Sequence, residues 1–383
     1  MTTAPIAILG GGPVGLTLAL LLARRQVPAV VVDARELDDA RRDRRLLALS
    51  RGTLDTLGTV VELPAAVLAP IRTVVVSSRG EFGRAVLDAR EHGGGPLGAT
   101  IRYGDLVAAL DAACRGAPLV EVRRRCVASA VSQGPAAVEV RLADGATFAA
   151  PIVVNAEGAG AGARPAAARQ SALTGDVDVQ GPAAGTAFER FTRDGPLALL
   201  PLAGPAAGTT RPMSLVWCMP TAAADRREAL SDADLLAELQ AEFGARNGRV
   251  LAIRARGRYP IIEQARDAVR EHRLVHVGNA AQTLHPVAGQ GLNLGVRDGV
   301  ALADLVAAAA VAAQDPLARL PEYERRRRAD RLAIRTLTRT VPGLFATGFA
   351  PVAAARSLGL TMLSTFPDLR AEFARFLMFG VRS

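Results

Sequence analysis

The chain contains no lysine: all 46 of its basic residues are arginine, set against 37 acidic ones over 383 positions. Aromatic residues make up only 4% of it and do not interleave with the arginines. The formal charge of +9 therefore does not mark a nucleic-acid-binding face, on which basic and aromatic side chains share one surface. The arginine bias goes with abundant Ala and Gly and reflects base composition. Three cysteines (Cys114, Cys126, Cys218) are too few and too scattered for a disulfide framework or a zinc site. The four histidines show no metal-ligand spacing, so no metal is expected. A long apolar run is missing too. Ile6–Ala23 is uncharged, but four Gly and one Pro interrupt it near its start and no basic segment precedes it. It reads as a buried strand and helix, not as a membrane span or signal peptide. A cytoplasmic protein is expected, with weak attraction to anionic membrane surfaces left open.

Half of the residues are apolar, enough for a sizeable core, and the length suits two or three domains. Apolar strands are predicted at Ile6–Leu9 and Ala29–Asp33, flanking a helix over Pro13–Arg25. Such continuous apolar strands suit a parallel sheet covered on both faces. Helices are expected at Arg51–Leu57 and Asp105–Cys114. A small antiparallel meander is expected over Leu119–Ala149, with turns at Gln133-Gly134-Pro135 and Asp144-Gly145. Pro151–Asn155 reads as a strand and Ala156–Arg169 as a loop. Residues 171–272 change character, with strands at Ala187–Thr192, Leu197–Pro201 and Met213–Met219 and an amphipathic helix at Asp232–Phe243. After a strand at Leu274–Val277 come a Gly-rich loop, a helix from about Leu292 to Ala313, and a helical tail. Pro316, Pro321, Pro342, Pro351 and Pro367 punctuate that tail.

Gly10-Gly11-Gly12-Pro13-Val14-Gly15 fits G-x-G-x-x-G. Gly10 permits a tight turn, Gly12 lets backbone approach a pyrophosphate, and Gly15 lets helix pack closely on strand. The helix N-terminus adds partial positive charge and free N–H groups. Asp33, ending the second strand, is placed to accept hydrogen bonds from an adenosine ribose. The motif in this context indicates a bound dinucleotide without saying which one.

Residues 278–298 read Gly-Asn-Ala-Ala-Gln-Thr-Leu-His-Pro-Val-Ala-Gly-Gln-Gly-Leu-Asn-Leu-Gly-Val-Arg-Asp. This segment resembles the second flavin-binding motif of the single-component aromatic hydroxylases, and among them the ubiquinone-biosynthesis monooxygenases. Arg45-Leu46-Leu47-Ala48-Leu49-Ser50 is similar to that family's Arg-x-x-Ala-Leu-Ser segment. Residues 187–192 and 195–201, with Ser214-Leu215-Val216-Trp217 and Tyr323-Glu324-Arg325-Arg326-Arg327, resemble its 2-polyprenyl-6-methoxyphenol hydroxylase branch. The likeness thus runs through nearly the whole chain.

The resemblance implies an α/β fold: a Rossmann-like FAD-binding domain (1–68, 100–170 and 273–340), an inserted antiparallel-sheet substrate domain (69–99 and 171–272), and a C-terminal helical region (341–383). It implies FAD as cofactor, NAD(P)H or another electron donor, and dioxygen. It implies hydroxylation of a polyprenylated methoxyphenol through a flavin hydroperoxide, on the route to ubiquinone. The alternatives are a flavin hydroxylase of another aromatic or quinone, and a non-catalytic subunit of a ubiquinone-biosynthesis complex. Asn279 is expected to reach a ribityl hydroxyl, and Arg45 and Arg102 to contact FAD phosphate or ribityl groups. Gly289, Gln290, Gly291, Leu292 and Asn293 form the loop and helix start against the flavin. His285 is the candidate catalytic residue, orienting substrate or moving a phenol proton.

Two departures stand out. Asn279 replaces an Asp common in the wider family, and Ala156–Arg164 carries Glu157 and Ala161 where the family has Asp and Ser, with Arg164 in register. The second puts the route of the electrons in doubt. The run Arg325–Arg328 is expected to be a solvated face paired with Glu322 and Glu324. The tail Val341–Phe379 is expected to cover the core, with a peripheral inner-membrane or partner surface as the sharper alternative.

Overall fold

Strands Ile6–Leu9 and Ala29–Asp33 are wholly buried, as their unbroken apolar sequences require, and they form the centre of a six-stranded sheet. The computed structural model describes residues 4–80, 83–158, 168–346 and 350–381. In this sheet Leu274–His276, Val153–Asn155, Ile6–Leu9, Ala29–Asp33 and Val120–Arg124 run parallel in that order, with Arg270–Glu271 antiparallel at one edge. Val120–Arg124 thus belongs to the parallel sheet; the expected meander is confined to Ala128–Gln133, Val138–Leu142 and Thr147–Ala150. The helices Pro13–Arg24, Tyr103–Arg115 and Gln290–Val311 cover one face, joining Leu16, Leu18, Leu106, Leu110, Leu302 and Val306 in one core.

A second sheet of seven strands runs in the order Arg249–Ile261, Gln170–Gln180, Thr210–Pro220, Pro196–Pro201, Thr186–Phe191, Thr73–Ser78, Arg84–Asp88. All neighbours are antiparallel except Thr186–Phe191 with Thr73–Ser78. Strand alternation sends Leu173, Val177, Leu199, Leu215 and Trp217 to one face, where they pack on Leu235, Leu239 and Phe243 of the helix Asp232–Phe243. The other face presents Ala172, Val216, Cys218 and Tyr259. A three-stranded sheet (Leu46–Ser50, Gly98–Arg102, Ala69–Ile71) lies between the two large ones. It is tied to the second by the Thr100 hydroxyl donating to the carbonyl of Pro201 at 2.5 Å.

The C-terminal region is helical, but the helix Leu320–Ala346 continues through Pro342 instead of stopping there. Helix Pro367–Phe379 packs Ala374 and Met378 against Leu87 and Leu97. Arg327, expected on a solvated face, is buried. Its guanidinium donates to Asp298 at 2.7 Å and Asp330 at 2.6 Å, since an arginine on the inward side of this helix meets two interior carboxylates. Arg325 and Arg326 do face outward and pair with Glu322. Arg297 also bonds Asp330, as does the backbone N–H of Val381. Burial pushes the Asp330 carboxyl up, but Arg297 and Arg327 more than offset this and hold it below its usual range. No helix is long and apolar enough to cross a membrane among the described residues.

Candidate active site

The parallel strands end in register, Leu9 beside Asn155, Asn155 beside His276 and Asp33 beside Arg124. Their carboxyl ends therefore meet in one crevice, where ligands of open α/β sheets bind. The helix Pro13–Arg24 opens into it from Gly12 with no side chain capping its N-terminus. A Cβ on Gly15 would lie 2.0 Å from the carbonyl oxygen of Gly10, so only glycine allows this helix so close to the strand. At Gly12 the neighbour of such a Cβ within 4 Å, among the described residues, is the Tyr103 hydroxyl, at 3.3 Å. The approach to the helix N-terminus is open on that side, which suits an anionic group on the free N–H groups.

Asp33 is buried, and its oxygens accept the N–H of Gly11 at 2.5 Å and of Arg35 at 2.7 Å. A carboxylate has lone pairs left after two such bonds, so ribose hydroxyls still fit. Arg124 was not anticipated. It bonds Asp111 at 2.9 Å and the carbonyl of Gly11 at 3.2 Å, and it lies 3.6 Å from Asp33, bracing the glycine turn from behind. No local signal in the sequence marked it, because its strand was expected in the antiparallel meander and pairs with Ala29–Asp33 only in the fold. Tyr103 was also missed. Its hydroxyl accepts from Arg35 at 3.1 Å, and Arg45 lies over its ring at 5.0 Å.

Arg45 and Arg102 each have a protein carboxylate where a cofactor group was expected. Arg45 chelates Asp43, and Arg102 reaches across to Asp176 of the second sheet at 2.7 Å while also donating to the carbonyl of Arg44. Arg45 is still joined to the crevice through Tyr103, whose ring it covers and whose hydroxyl lies beside Gly12. Tyr259 of the second sheet faces this segment; burial, then Cys218, pushes its hydroxyl up to about 12, so it stays a neutral phenol.

The loop after Leu274–His276 completes the crevice. Val14 fills a niche between Gly278 and Gly295, whose added Cβ atoms would lie 3.1 and 2.8 Å from its Cγ2, so the two glycine motifs lock together. Asn279 is exposed on a hollow of about 220 Å³ shared with Asn155, Glu157, Arg266 and Gln282. The carboxyl of Glu157 is raised, by burial first and then by the charge of Asp33. Ala161 and Arg164 lie outside the described residues.

Gly289 takes φ +58, the left-handed region, and a Cβ there would meet that of Ala48 at 2.8 Å, so the loop rests directly on the strand Leu46–Ser50. Gly291 borders Asn279, and Leu292 packs on the core. Gln290 donates to the carbonyl of Leu377 in the C-terminal helix at 3.2 Å. The Asn293 side chain is spent on protein: its oxygen accepts from Ser50 N–H at 2.9 Å, and its nitrogen donates to the carbonyls of Ala48 and Gly289. Its side chain thereby ties the helix start to the strand Leu46–Ser50. His285 is 2% exposed, with Nδ1 accepting from Val287 N–H at 3.3 Å and Nε2 buried without a partner. Burial lowers it to about 4, so its imidazole is neutral at physiological pH. No metal-binding cluster occurs among the described residues.

Residues 3–336 match the family model described as FAD binding domain. The ubiquinone hydroxylase UbiL of Rhodospirillum rubrum is 33% identical over 98% of this chain and 89% of its own length. The 3-demethoxyubiquinol 3-hydroxylase of Escherichia coli is 31% identical over 99% of this chain and 100% of its own. Among solved structures, the probable FAD-dependent monooxygenase pqsL of Pseudomonas aeruginosa aligns with a TM-score of 0.71 and 22% identity, over 94% of this chain and 99% of that one. The p-nitrophenol 4-monooxygenase PnpA of Pseudomonas putida aligns with a TM-score of 0.71 and 18% identity over all of both chains.

Proposed function

From the premise that this chain belongs to the FAD binding domain family and is an FAD-dependent monooxygenase, we propose that it hydroxylates the ring of a polyprenylated methoxyphenol in ubiquinone biosynthesis. The observation that carries the substrate class is the inward face of the seven-stranded sheet. Ala172, Val216, Cys218 and Ile261 form an apolar wall beside Tyr259, turned toward the Arg45 segment. That wall suits a hydrophobic phenol better than a small polar one.

The residues present fit FAD. Gly10, Gly12 and Gly15 with the uncapped helix N-terminus take the pyrophosphate, Asp33 the ribose, and Asn279 a ribityl hydroxyl. Gly289, Gln290, Gly291 and Leu292 present backbone at a helix N-terminus to the flavin ring, with Asn293 holding them. FAD, when bound, supplies the activation of dioxygen. The chain supplies orientation and exclusion of water, with His285 orienting the phenol as a neutral ring whose Nδ1 is taken by the Val287 N–H and whose Nε2–H is the free donor. The electron donor is NAD(P)H or another reductant.

Peripheral membrane contact is part of this reading. Leu358 and Met362 are exposed one turn apart on one C-terminal helix, and Phe366 and Leu369 are exposed at the start of the next; exposed apolar side chains on a cationic chain suit an anionic bilayer that holds a polyprenyl substrate.

Turnover of several prenylated methoxyphenols by the FAD-loaded protein, together with the intermediate that accumulates on gene deletion, tests the reading. Preference for a non-prenylated aromatic would overturn it. Protein that neither carries nor acquires FAD would favour a non-catalytic subunit.

A further inference from the structure

A cavity of about 560 Å³ opens between residues 65–72, 182–186 and 201–213, where the second sheet meets the strand Ala69–Ile71. Among the described residues it shares no lining residue with the hollow at Asn279. Thr100, bonded to the carbonyl of Pro201, stands behind it. Its walls are apolar, with Leu68, Pro70, Leu202 and Met213 among them, and among the described residues its charged lining consists of Arg72 and Arg211.

The guanidinium of Arg211 is held in place by backbone carbonyls, and Arg72 is anchored through its backbone and stem. Arg211 donates to the carbonyls of Gly208 at 2.6 Å and Thr210 at 3.1 Å, and its Nε is buried with no hydrogen-bond partner. Arg72 is exposed at the rim; its backbone N–H donates to Gly185 at 2.8 Å, and its stem lies against that glycine. A buried, unmatched guanidinium N–H costs stability until an acceptor arrives. None of the described lining residues is acidic, so no carboxylate of the lining neutralises the two guanidinium groups. The guanidinium fork matches carboxylate and phosphate oxygens.

We propose that this cavity is a second ligand site, for a single-chain anionic amphiphile whose head group sits between Arg72 and Arg211 and whose apolar body lies along Leu68, Pro70, Leu202 and Met213. The volume falls within the usual range of small-molecule sites, roughly 300–1,000 Å³. The site stands independently of the flavin reading.

The experiment is calorimetric titration of the full, FAD-loaded chain with dodecyl phosphate and with dodecanoate, below their micellar range. One-to-one binding is expected, at least about tenfold tighter than for dodecanol or inorganic phosphate. The tighter of the two probes identifies the head group, phosphate or carboxylate. The Arg72→Gln/Arg211→Gln pair should weaken binding by about tenfold or more. Ala66→Trp, at an exposed lining position, should block it with FAD content and turnover unchanged. The flavin absorption spectrum should not move on saturation. Absence of one-to-one binding, equal affinity for inorganic phosphate, undiminished binding in both variants, or a shifted flavin spectrum would each overturn the proposal.

Discussion

The side-chain oxygen of Asn293 accepts the backbone N–H of Ser50 at 2.9 Å, across 243 positions of sequence. Ser50 in turn caps the helix Arg51–Leu57 through its hydroxyl. One buried amide therefore fixes the loop that begins at Gly289, the end of a strand, and the start of a helix. Asn293→Ala would leave Ser50 N–H and the Ala48 and Gly289 carbonyls short of a partner, at a cost of about 2–4 kcal/mol. Thermal release of FAD, followed by flavin fluorescence, should shift to lower temperature. An unchanged release profile would remove Asn293 from its positioning role.

Gly12→Val puts a branched side chain where, among the described residues, the near neighbour is the Tyr103 hydroxyl. The fold should survive, because that space is open, but the anion approach should close. FAD content per chain is expected to fall by roughly tenfold or more, the equivalent of at least about 1.4 kcal/mol. Wild-type occupancy, read from the visible absorbance, would count against the pyrophosphate placement.

His285 gives a pH signature. Its folded value, about 4, lies below its ordinary 6.5, so the unfolded chain binds the proton more readily. Its stability contribution is full above 6.5 and is lost as pH falls through the window down to about 4, by on the order of 3 kcal/mol. Denaturation midpoints of wild type and His285→Gln between pH 4 and 7 should converge toward the acid end. His285→Ala should slow hydroxylation while sparing FAD content; unchanged turnover would leave it a loop residue only.

Arg327→Met leaves Asp298 without its guanidinium partner in the interior, while Asp330 keeps Arg297 and the Val381 N–H, a loss of about 3–5 kcal/mol for a broken buried pair. Adding Asp298→Asn should recover part of it, because one uncompensated charge is then removed. Chemical denaturation of both variants checks the coupling, and additive losses would contradict it.

Phe366→Ser with Leu369→Ser removes two large exposed apolar side chains from the C-terminal region. Sedimentation with vesicles containing anionic lipid should drop about tenfold or more, since a single fully buried side chain is worth about 1.5–3 kcal/mol. Equal sedimentation would show that these side chains do not meet the bilayer.

Much of this architecture was legible before any coordinates. Ile6–Leu9, Ala29–Asp33 and the helix Asp232–Phe243 lie where their patterning puts them, because apolar runs and helical periodicity report burial directly. The strands Gln170–Gln180 and Arg249–Ile261 were missed. The first carries Gly and Asp, the second is rich in Arg, and their stability comes from long-range pairing and cross-strand ion pairs such as Arg254 with Asp178. The two glycine motifs were visible as motifs. Arg124, Tyr103 and Tyr259 were not, since nothing local says which distant turn a side chain will brace.

The niche that Gly278 and Gly295 make for Val14 bears on how such chains can be recombined. A hybrid taking its amino-terminal turn from one parent and its later loop from another must match a single isopropyl group to two missing methyls. An isoleucine or leucine at position 14 would demand room that neither glycine can yield. Crossover points that keep position 14 and positions 278 and 295 from the same parent should yield folded hybrids far more often than those that separate them.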